Sequence, residues 1–474
     1  MADSPRELEL TTAQMRAMTE AALARIAAHI EALPSMPAAD TLGGPELARS
    51  LKEPLPEGGA AFEDLLDLLF DRVIPKSFNT AGPGYLAYIP GGGLYHAALA
   101  DLIADATNRF VGVFQTAPGL AQLESNVVRW FCEIVGLPAS SGGFLTTGGS
   151  LANLSAIVTA RCEKLPEDFL SGTIYTSGQA HHSVARAALL AGFPRANVRS
   201  IPVDASFRIQ IARLEEEVER DTRAGFTPFM IVANAGTTNS GAVDDLQTLA
   251  FLARARSLWL HVDGAYGGFF ALTARGRAAL RGMEQADTIT LDPHKALFLP
   301  YGTGCLLARD AATLRRTHSH QAAYLPTMQQ DSDLVDFCEI SPELSRDFRG
   351  LRCWLPIKMH GAATFRRYLD EKLDLARWAA EQLRTISHIE ILAEPQLSLL
   401  AFRLAPDGRT PAQLDDLNRD LLSRINARKR VFLTGTMLGD RFALRICVLS
   451  FRTHQDRMSI CLEDIRSSVA EMIR

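Results

Sequence analysis

Asp287-Thr-Ile-Thr-Leu-Asp-Pro-His-Lys295-Ala-Leu-Phe-Leu299 is a short apolar, β-like run that is broken at Pro293 and ends in a lysine beside His294. Lysine is rare here. Only seven of the 49 basic residues are lysine, and the other six fall where a solvated or amphipathic position is expected. A lysine placed in a semi-buried site loses some proton affinity and becomes a usable amine nucleophile. The competing reading is a side chain that runs its head out to water. The flanking sequence separates the two.

On the N-terminal side of this stretch, from about residue 80, short β-like runs alternate with helical stretches. Strands are expected at Thr173–Thr176, Phe229–Asn234, Trp259–Asp263 and Thr288–Leu291, with helices such as Ser183–Ala191 and Asp245–Arg256 between them. Such alternation predicts a mostly parallel sheet covered by helices on both faces. Ligands bind such sheets beyond the carboxyl ends of the strands. The unusual polar residues lie at those ends: His181 and His182, Thr237 and Thr238, Asp263, and His294 with Lys295.

Helical spacing over 11–33 and from Phe62 to Val73, joined by a Pro- and Gly-rich connection at 34–59, predicts an N-terminal helical segment over 1–79. A large α/β domain is expected over 80–355. A smaller α/β domain is expected over 356–474, with a long helix at Ile357–Ile386, a strand pair around Ser398–Leu404 and Phe442–Cys447, and a helix at 411–428. The 474 residues carry a net charge of −5, with 47% hydrophobic and 22% charged residues. Nothing in that balance suggests nucleic acid. No apolar run approaches the roughly 20 residues that span a bilayer. The acidic start does not read as a secretory signal. Seven scattered cysteines without a Cys-x-x-Cys pair fit reduced thiols in a cytoplasmic protein. His318 and His320 have no further ligand at suitable spacing, so no metal is expected.

An amine nucleophile in an enzyme chiefly meets carbonyl compounds, pyridoxal phosphate above all. That cofactor makes four demands. Its aldehyde needs a lysine, for which Lys295 is the candidate. Its pyridine nitrogen needs a carboxylate, and Asp263 ends the apolar run Trp259-Leu-His-Val-Asp263. Its phosphate needs clustered N–H groups, which Gly148, Gly149 and Ser150 can present where Thr146-Thr-Gly-Gly-Ser-Leu-Ala-Asn153 runs into a helical pattern. Its ring face needs a flat partner, and His181 suits. Each element alone has an ordinary structural reading, as a turn, a cap or an exposed histidine. Their joint occurrence is far more specific.

The combination resembles the group II pyridoxal-phosphate-dependent amino-acid decarboxylases, the aromatic-L-amino-acid decarboxylases among them. The resemblance runs from Gly82-Pro-Gly-Tyr-Leu-Ala-Tyr-Ile-Pro90 to Leu444-Arg-Ile-Cys-Val-Leu-Ser-Phe-Arg-Thr453. It is densest at His181-His-Ser-Val, His261-Val-Asp-Gly-Ala-Tyr-Gly-Gly268 and Asp292-Pro-His-Lys295. It implies the pyridoxal-phosphate-dependent transferase fold type I (aspartate aminotransferase-like), a mostly parallel central sheet with a smaller C-terminal α/β domain. It also implies an obligate homodimer with shared active sites. On this resemblance Lys295 is the Schiff-base lysine, Asp263 pairs with the pyridinium and His181 stacks on the ring. Gly149, Ser150 and Asp292 line the phosphate pocket, and Thr238 lies near the ring. The implied reaction is decarboxylation of an L-amino acid, leading to an amine and carbon dioxide.

Two departures from the family stand out. Its members usually protonate Cα with a tyrosine on a loop between the lysine and the C-terminal domain. Counting back from Arg346-Asp-Phe-Arg-Gly-Leu-Arg352 puts that position at Phe337, while Tyr324, the only tyrosine between 302 and 367, is assigned to another part of the pattern. A phenyl ring donates no proton, and in plant members a Phe there accompanies oxidation to an aldehyde, ammonia and peroxide. His294 or a water is the alternative acid. The substrate pocket also drifts. Phe110-Val-Gly-Val-Phe-Gln-Thr-Ala-Pro-Gly119 resembles a segment that reaches the neighbouring subunit's pocket, with Val113 and Gln115 where animal relatives carry aromatics. Gly91-Gly-Gly93, after Tyr88 and Pro90, replaces bulkier residues and is expected to widen the pocket. No arginine awaits a side-chain carboxylate, so an aromatic substrate is expected rather than glutamate. A dehydrogenase is disfavoured because no Gly-x-Gly-x-x-Gly follows a first strand. Retention of Lys295, Asp263 and His181 together speaks against a catalytically inactive fold relative that only binds.

Overall fold

The computed structural model describes residues 8–319, 328, 331 and 333–473. Tyr324 and His320 lie outside the described residues.

The larger sheet has seven strands: β1 (Gly142–Thr146), β2 (Gly172–Ser177), β3 (Val198–Ile201), β4 (Thr227–Asn234), β5 (Trp259–Gly264), β6 (Thr288–Leu291) and β7 (Gly304–Ala308). Their spatial order is β1-β7-β6-β5-β4-β2-β3. The block β3-β2-β4-β5-β6 is parallel, whereas β7 runs antiparallel to both β6 and β1. The centre of the sheet is buried throughout, since every residue of β2, β5, β6 and β7 is buried. Strands covered on both faces read as continuous apolar runs, which is why β2, β4, β5 and β6 were legible in the sequence. Leu260, Val262, Ile289 and Leu291 pack into the main core with the helix Pro118–Val135 on one side. Ile174, Met230 and Val232 pack with the helices Gly149–Lys164 and Ser183–Leu190 on the other.

A second, antiparallel sheet is formed by β8 (Ile389–Ala393), β9 (Leu399–Leu404), β10 (Thr434–Leu438) and β11 (Arg441–Cys447), in the order β10-β11-β9-β8. The segment leading to Pro90 is stitched to it: Leu86 N–H donates to the Phe432 carbonyl, and Cys447 N–H to the Leu86 carbonyl. The expected helix at Ile357–Ile386 is longer, Arg349–Arg384, and is interrupted at Gly361, whose φ of 69° is left-handed. Lys372 departs from its solvated expectation. It is fully buried in that helix, its Nζ donating to Glu371 Oε2 at 2.8 Å and the Thr453 carbonyl at 2.6 Å. The first helix is Thr12–Ala32, closed at its start by a capping box between Thr11 and Gln14, and it buries no residue of its own.

Among the described residues no helix is long and apolar enough to cross a membrane. Among them, too, no cluster of His, Cys, Asp or Glu is placed to hold a metal ion.

Candidate active site

The parallel strands deliver their polar termini to one cavity. Register places Asn234 beside Asp263 and Asp263 beside Thr290, so the ends of β4, β5 and β6 lie level. Beyond them opens a cavity of about 270 Å³ whose walls include Gly149, His181, Thr238, Asp263, Asp292 and Lys295. Gly148, Ser150 and His294 also line it.

Asp263 caps β5 and is 8% exposed. Its Oδ2 accepts from Asn153 Nδ2 at 3.0 Å and its Oδ1 from the Ala265 N–H at 3.1 Å. A buried carboxylate held by two neutral donors needs a cationic partner to balance it. Across the cavity the helix Gly149–Lys164 starts with neither a side-chain cap nor an acidic residue in its first turn. The N–H groups of Gly149 and Ser150 are therefore open to an anion, and the helix dipole favours one. Gly149 keeps this approach open, because a Cβ there would sit 3.1 Å from Asp292 Oδ2 and 3.2 Å from the Ala265 methyl.

Lys295 Nζ lies 2.9 Å from Asp292 Oδ2. Burial pushes the lysine toward its neutral form, yet the Asp292 carboxylate, helped by Asp263, more than offsets that and leaves its pKa raised. The expectation that burial weakens its hold on the proton is therefore corrected: the unmodified amine is an ammonium in an ion pair. Asp292 Oδ1 stays buried with no hydrogen-bond partner. Burial lowers the pKa values of His181 and His294, so both rings are neutral at pH 7. His294 Nδ1 donates to the Thr303 carbonyl at 2.6 Å.

The remaining sequence candidates fall elsewhere. Phe337 is 1% exposed and packs with Phe144, Ala152, Ala156, Leu306 and Leu314, under the Arg346 guanidinium at 4.9 Å. It does not line the cavity of its own chain, where it is a core side chain packed against the helix Gly149–Lys164. Gly91 does not widen a pocket. A Cβ on it would lie 2.0 Å from the His294 carbonyl oxygen, so it is glycine because two backbones meet. Val113 is fully buried in its own chain, which leaves it nothing to offer a neighbouring subunit. Gln115 and Tyr88 are exposed, Pro90 is buried, and none of the three lines the cavity.

Sequence reasoning passed over Asn153, His261 and Arg445. Arg445 is buried and gives its hydrogens to the carbonyls of Thr238, Asn239 and Tyr88 and to Thr434 Oγ1. It thereby fixes the Thr238 turn to the second sheet. Its position inside Leu444-Arg-Ile, an arginine in an otherwise apolar strand, was the available signal.

Residues 45–405 match the model of the pyridoxal-dependent decarboxylase conserved domain. The chain belongs to that family. An aromatic-L-amino-acid decarboxylase of Bacillus atrophaeus is 34% identical over 467 residues, 98% of this chain and 97% of the relative. The solved structure of Oryza sativa TDC with PLP and tryptamine superimposes with a TM-score of 0.93 at 27% identity, covering 98% and 99% of the two chains. The 4-hydroxyphenylacetaldehyde synthase of Rhodiola rosea matches with a TM-score of 0.91 at 23% identity, over 98% and 100%, a likeness of fold alone. The chain is thus a pyridoxal-dependent carboxy-lyase of the expected type I fold, and its cofactor is pyridoxal phosphate. An uncapped helix start, a strand-tip carboxylate and a lysine around one cavity fit that group.

Proposed function

We propose that this decarboxylase converts an aromatic L-amino acid to its amine and carbon dioxide, with Lys295 as the residue that carries the cofactor. The supporting observation is the convergence of Lys295, Asp263, His181 and the open helix start at Gly149 on one cavity. When bound, pyridoxal phosphate supplies the electron sink that accepts the bonding pair left as carbon dioxide departs. The chain's own groups do the rest. The Asp263 carboxylate holds positive charge at the ring nitrogen, and His181 covers a ring face. The N–H groups beginning at Gly149, with Ser150, hold the phosphate, and Thr238 and His294 close the sides. The described residues lining the cavity include no arginine, so a substrate side-chain carboxylate meets no guanidinium from this chain. That favours an aromatic side chain, as do the relatives' names.

The proton on Cα comes from His294 or a water, because a phenyl ring such as that of Phe337 donates none. The amine, rather than an aldehyde, is then the product. The working unit is a homodimer, which would complete the substrate pocket from the segment around Gln115.

The test is aerobic incubation with pyridoxal phosphate and a panel of L-amino acids, following amine, carbon dioxide, peroxide and oxygen uptake together. Amine without oxygen uptake is expected from the wild-type protein, and none from Lys295→Ala. Carbon dioxide release by Lys295→Ala at the wild-type rate would overturn the assignment.

A further inference from the structure

Behind Asp263 lies a chain of buried polar groups whose hydrogen-bond directions follow from one fixed point. That point is the carboxylate, which only accepts. Asn153 therefore turns its amide nitrogen toward it, Nδ2 donating to Asp263 Oδ2 at 3.0 Å and its second hydrogen to Ser183 Oγ at 3.0 Å. The amide oxygen then faces Thr290 Oγ1 at 2.7 Å and His261 Nε2 at 3.1 Å. Because that oxygen only accepts, His261 must carry its proton on Nε2. Its Nδ1 accepts from Thr288 Oγ1 at 3.0 Å, and Thr288 in turn accepts from Trp259 Nε1 at 2.9 Å. Burial holds the His261 pKa down to about 4, so the ring is neutral and carries one proton.

The second branch runs to the other side of the cavity. The Ser183 N–H donates to His181 Nδ1 at 3.3 Å, so that nitrogen is an acceptor. The Ser183 hydroxyl, which accepts from Asn153, therefore gives it its own hydrogen at 2.7 Å. His181 is left with its proton on Nε2. Flipping the Asn153 amide would set its oxygen against the Asp263 carboxylate, a repulsive contact in place of a bond. All members are buried except His181, and buried half-satisfied amides cost more than surface ones.

We propose that Asn153, backed by His261, is a positioning pair: one side-chain amide orients the Asp263 carboxylate and, through Ser183, locks the ring of His181. The two groups assigned to hold the cofactor ring are thereby set by a single residue. This rests on the reading of Asp263 and His181 given above, although the hydrogen-bond directions themselves do not.

The experiment uses the full chain labelled with ¹⁵N at histidine. Long-range ¹H–¹⁵N spectra of the protein before cofactor addition report each tautomer, with His181 and His261 assigned by the signals lost in His181→Gln and His261→Gln. Both rings are expected as neutral Nε2–H tautomers at neutral pH. Pyridoxal phosphate binding, followed by fluorescence quenching, is expected to weaken about ten- to hundredfold in Asn153→Leu and in His261→Leu. His261→Gln, which keeps an N–H for Asn153 Oδ1, should stay within about threefold of wild type by the same arithmetic. In Asn153→Leu the His181 ring is expected to populate both tautomers. An Nδ1–H tautomer at either histidine of the wild type would overturn the proposal. So would wild-type cofactor affinity in a folded Asn153→Leu. Should that variant fail to fold, the wild-type tautomers and the His261→Gln and His261→Leu pair still decide. A wild-type protein that binds no pyridoxal phosphate sinks the functional reading instead, leaving the tautomers as its separate result.

Discussion

At the scale of single residues, the Lys295–Asp292 ion pair governs the pH at which the cofactor is captured. The amine attacks only when neutral, and its pKa is raised by Asp292. Below that pKa the neutral fraction grows about tenfold per pH unit, so capture of pyridoxal phosphate should accelerate with pH through the neutral range. Asp292→Asn removes the anion and leaves burial, which pushes the pKa down. Capture at pH 7 should then be about tenfold faster or more, with a flatter pH dependence. Stopped-flow absorbance after mixing would measure both rates, and a slower Asp292→Asn with an unchanged slope would contradict the pairing. Phe337 makes a second case. Phe337→Leu should leave the product amine and cost about 1–2 kcal/mol of stability, because it changes only core packing. Product chromatography and thermal melts check both expectations. Aldehyde from the wild type that gave way to amine in Phe337→Tyr would place Phe337 at the donor position despite its burial.

At the scale of elements, close backbone approach sets what the strands and loops can present. Gly91 lies against the His294 carbonyl, where a Cβ would come within 2.0 Å. Gly91→Ala must push the Asp292–Lys295 segment aside, and we expect about 1–3 kcal/mol of destabilisation with weakened cofactor binding. A variant with wild-type melting and binding would show that the segment yields freely. The same scale explains what could be read in advance. The strands β2, β4, β5 and β6 announced themselves as apolar runs, and the rule that ligands sit at strand ends then gathered His181, Asp263 and Lys295. By contrast β1, Gly142-Gly-Phe-Leu-Thr146, reads as a glycine loop, and β7 follows Lys295 too closely to look like a separate strand. The burial of Phe337 was not legible because counting along a chain conveys spacing but not packing. Asn153 and His261 meet only when a helix packs on a strand from over a hundred residues away, a contact no local pattern encodes. Gly361 similarly looked like one more helical residue until its left-handed backbone split the long helix.

At the scale of the whole molecule, apolar surface calls for a partner. Leu99, Leu102 and Ile103 share one face of the helix Tyr95–Thr107 and are 37%, 53% and 52% exposed. Met359 at 56% stands on the neighbouring helix, where His96 and His360 touch, and Phe110 follows at 39%. The first helix adds Met15 and Leu23, again exposed, on an element that buries nothing within its own chain. Apolar faces of this kind mark surfaces that are covered in the working state. A second copy of the chain is the partner that the proposed shared active site requires, and Gln115, exposed and outside the cavity of its own chain, is a side chain it could receive. Ile103→Arg places a guanidinium in that apolar face and should shift the protein from dimer to monomer in sedimentation velocity. Turnover should fall by about a hundredfold or more, since an oriented pocket wall is worth several kcal/mol of barrier. Cofactor capture by Lys295 should persist, because every group assigned to that task lies within one chain. A monomeric Ile103→Arg that decarboxylates at the wild-type rate would place the whole substrate pocket in a single chain.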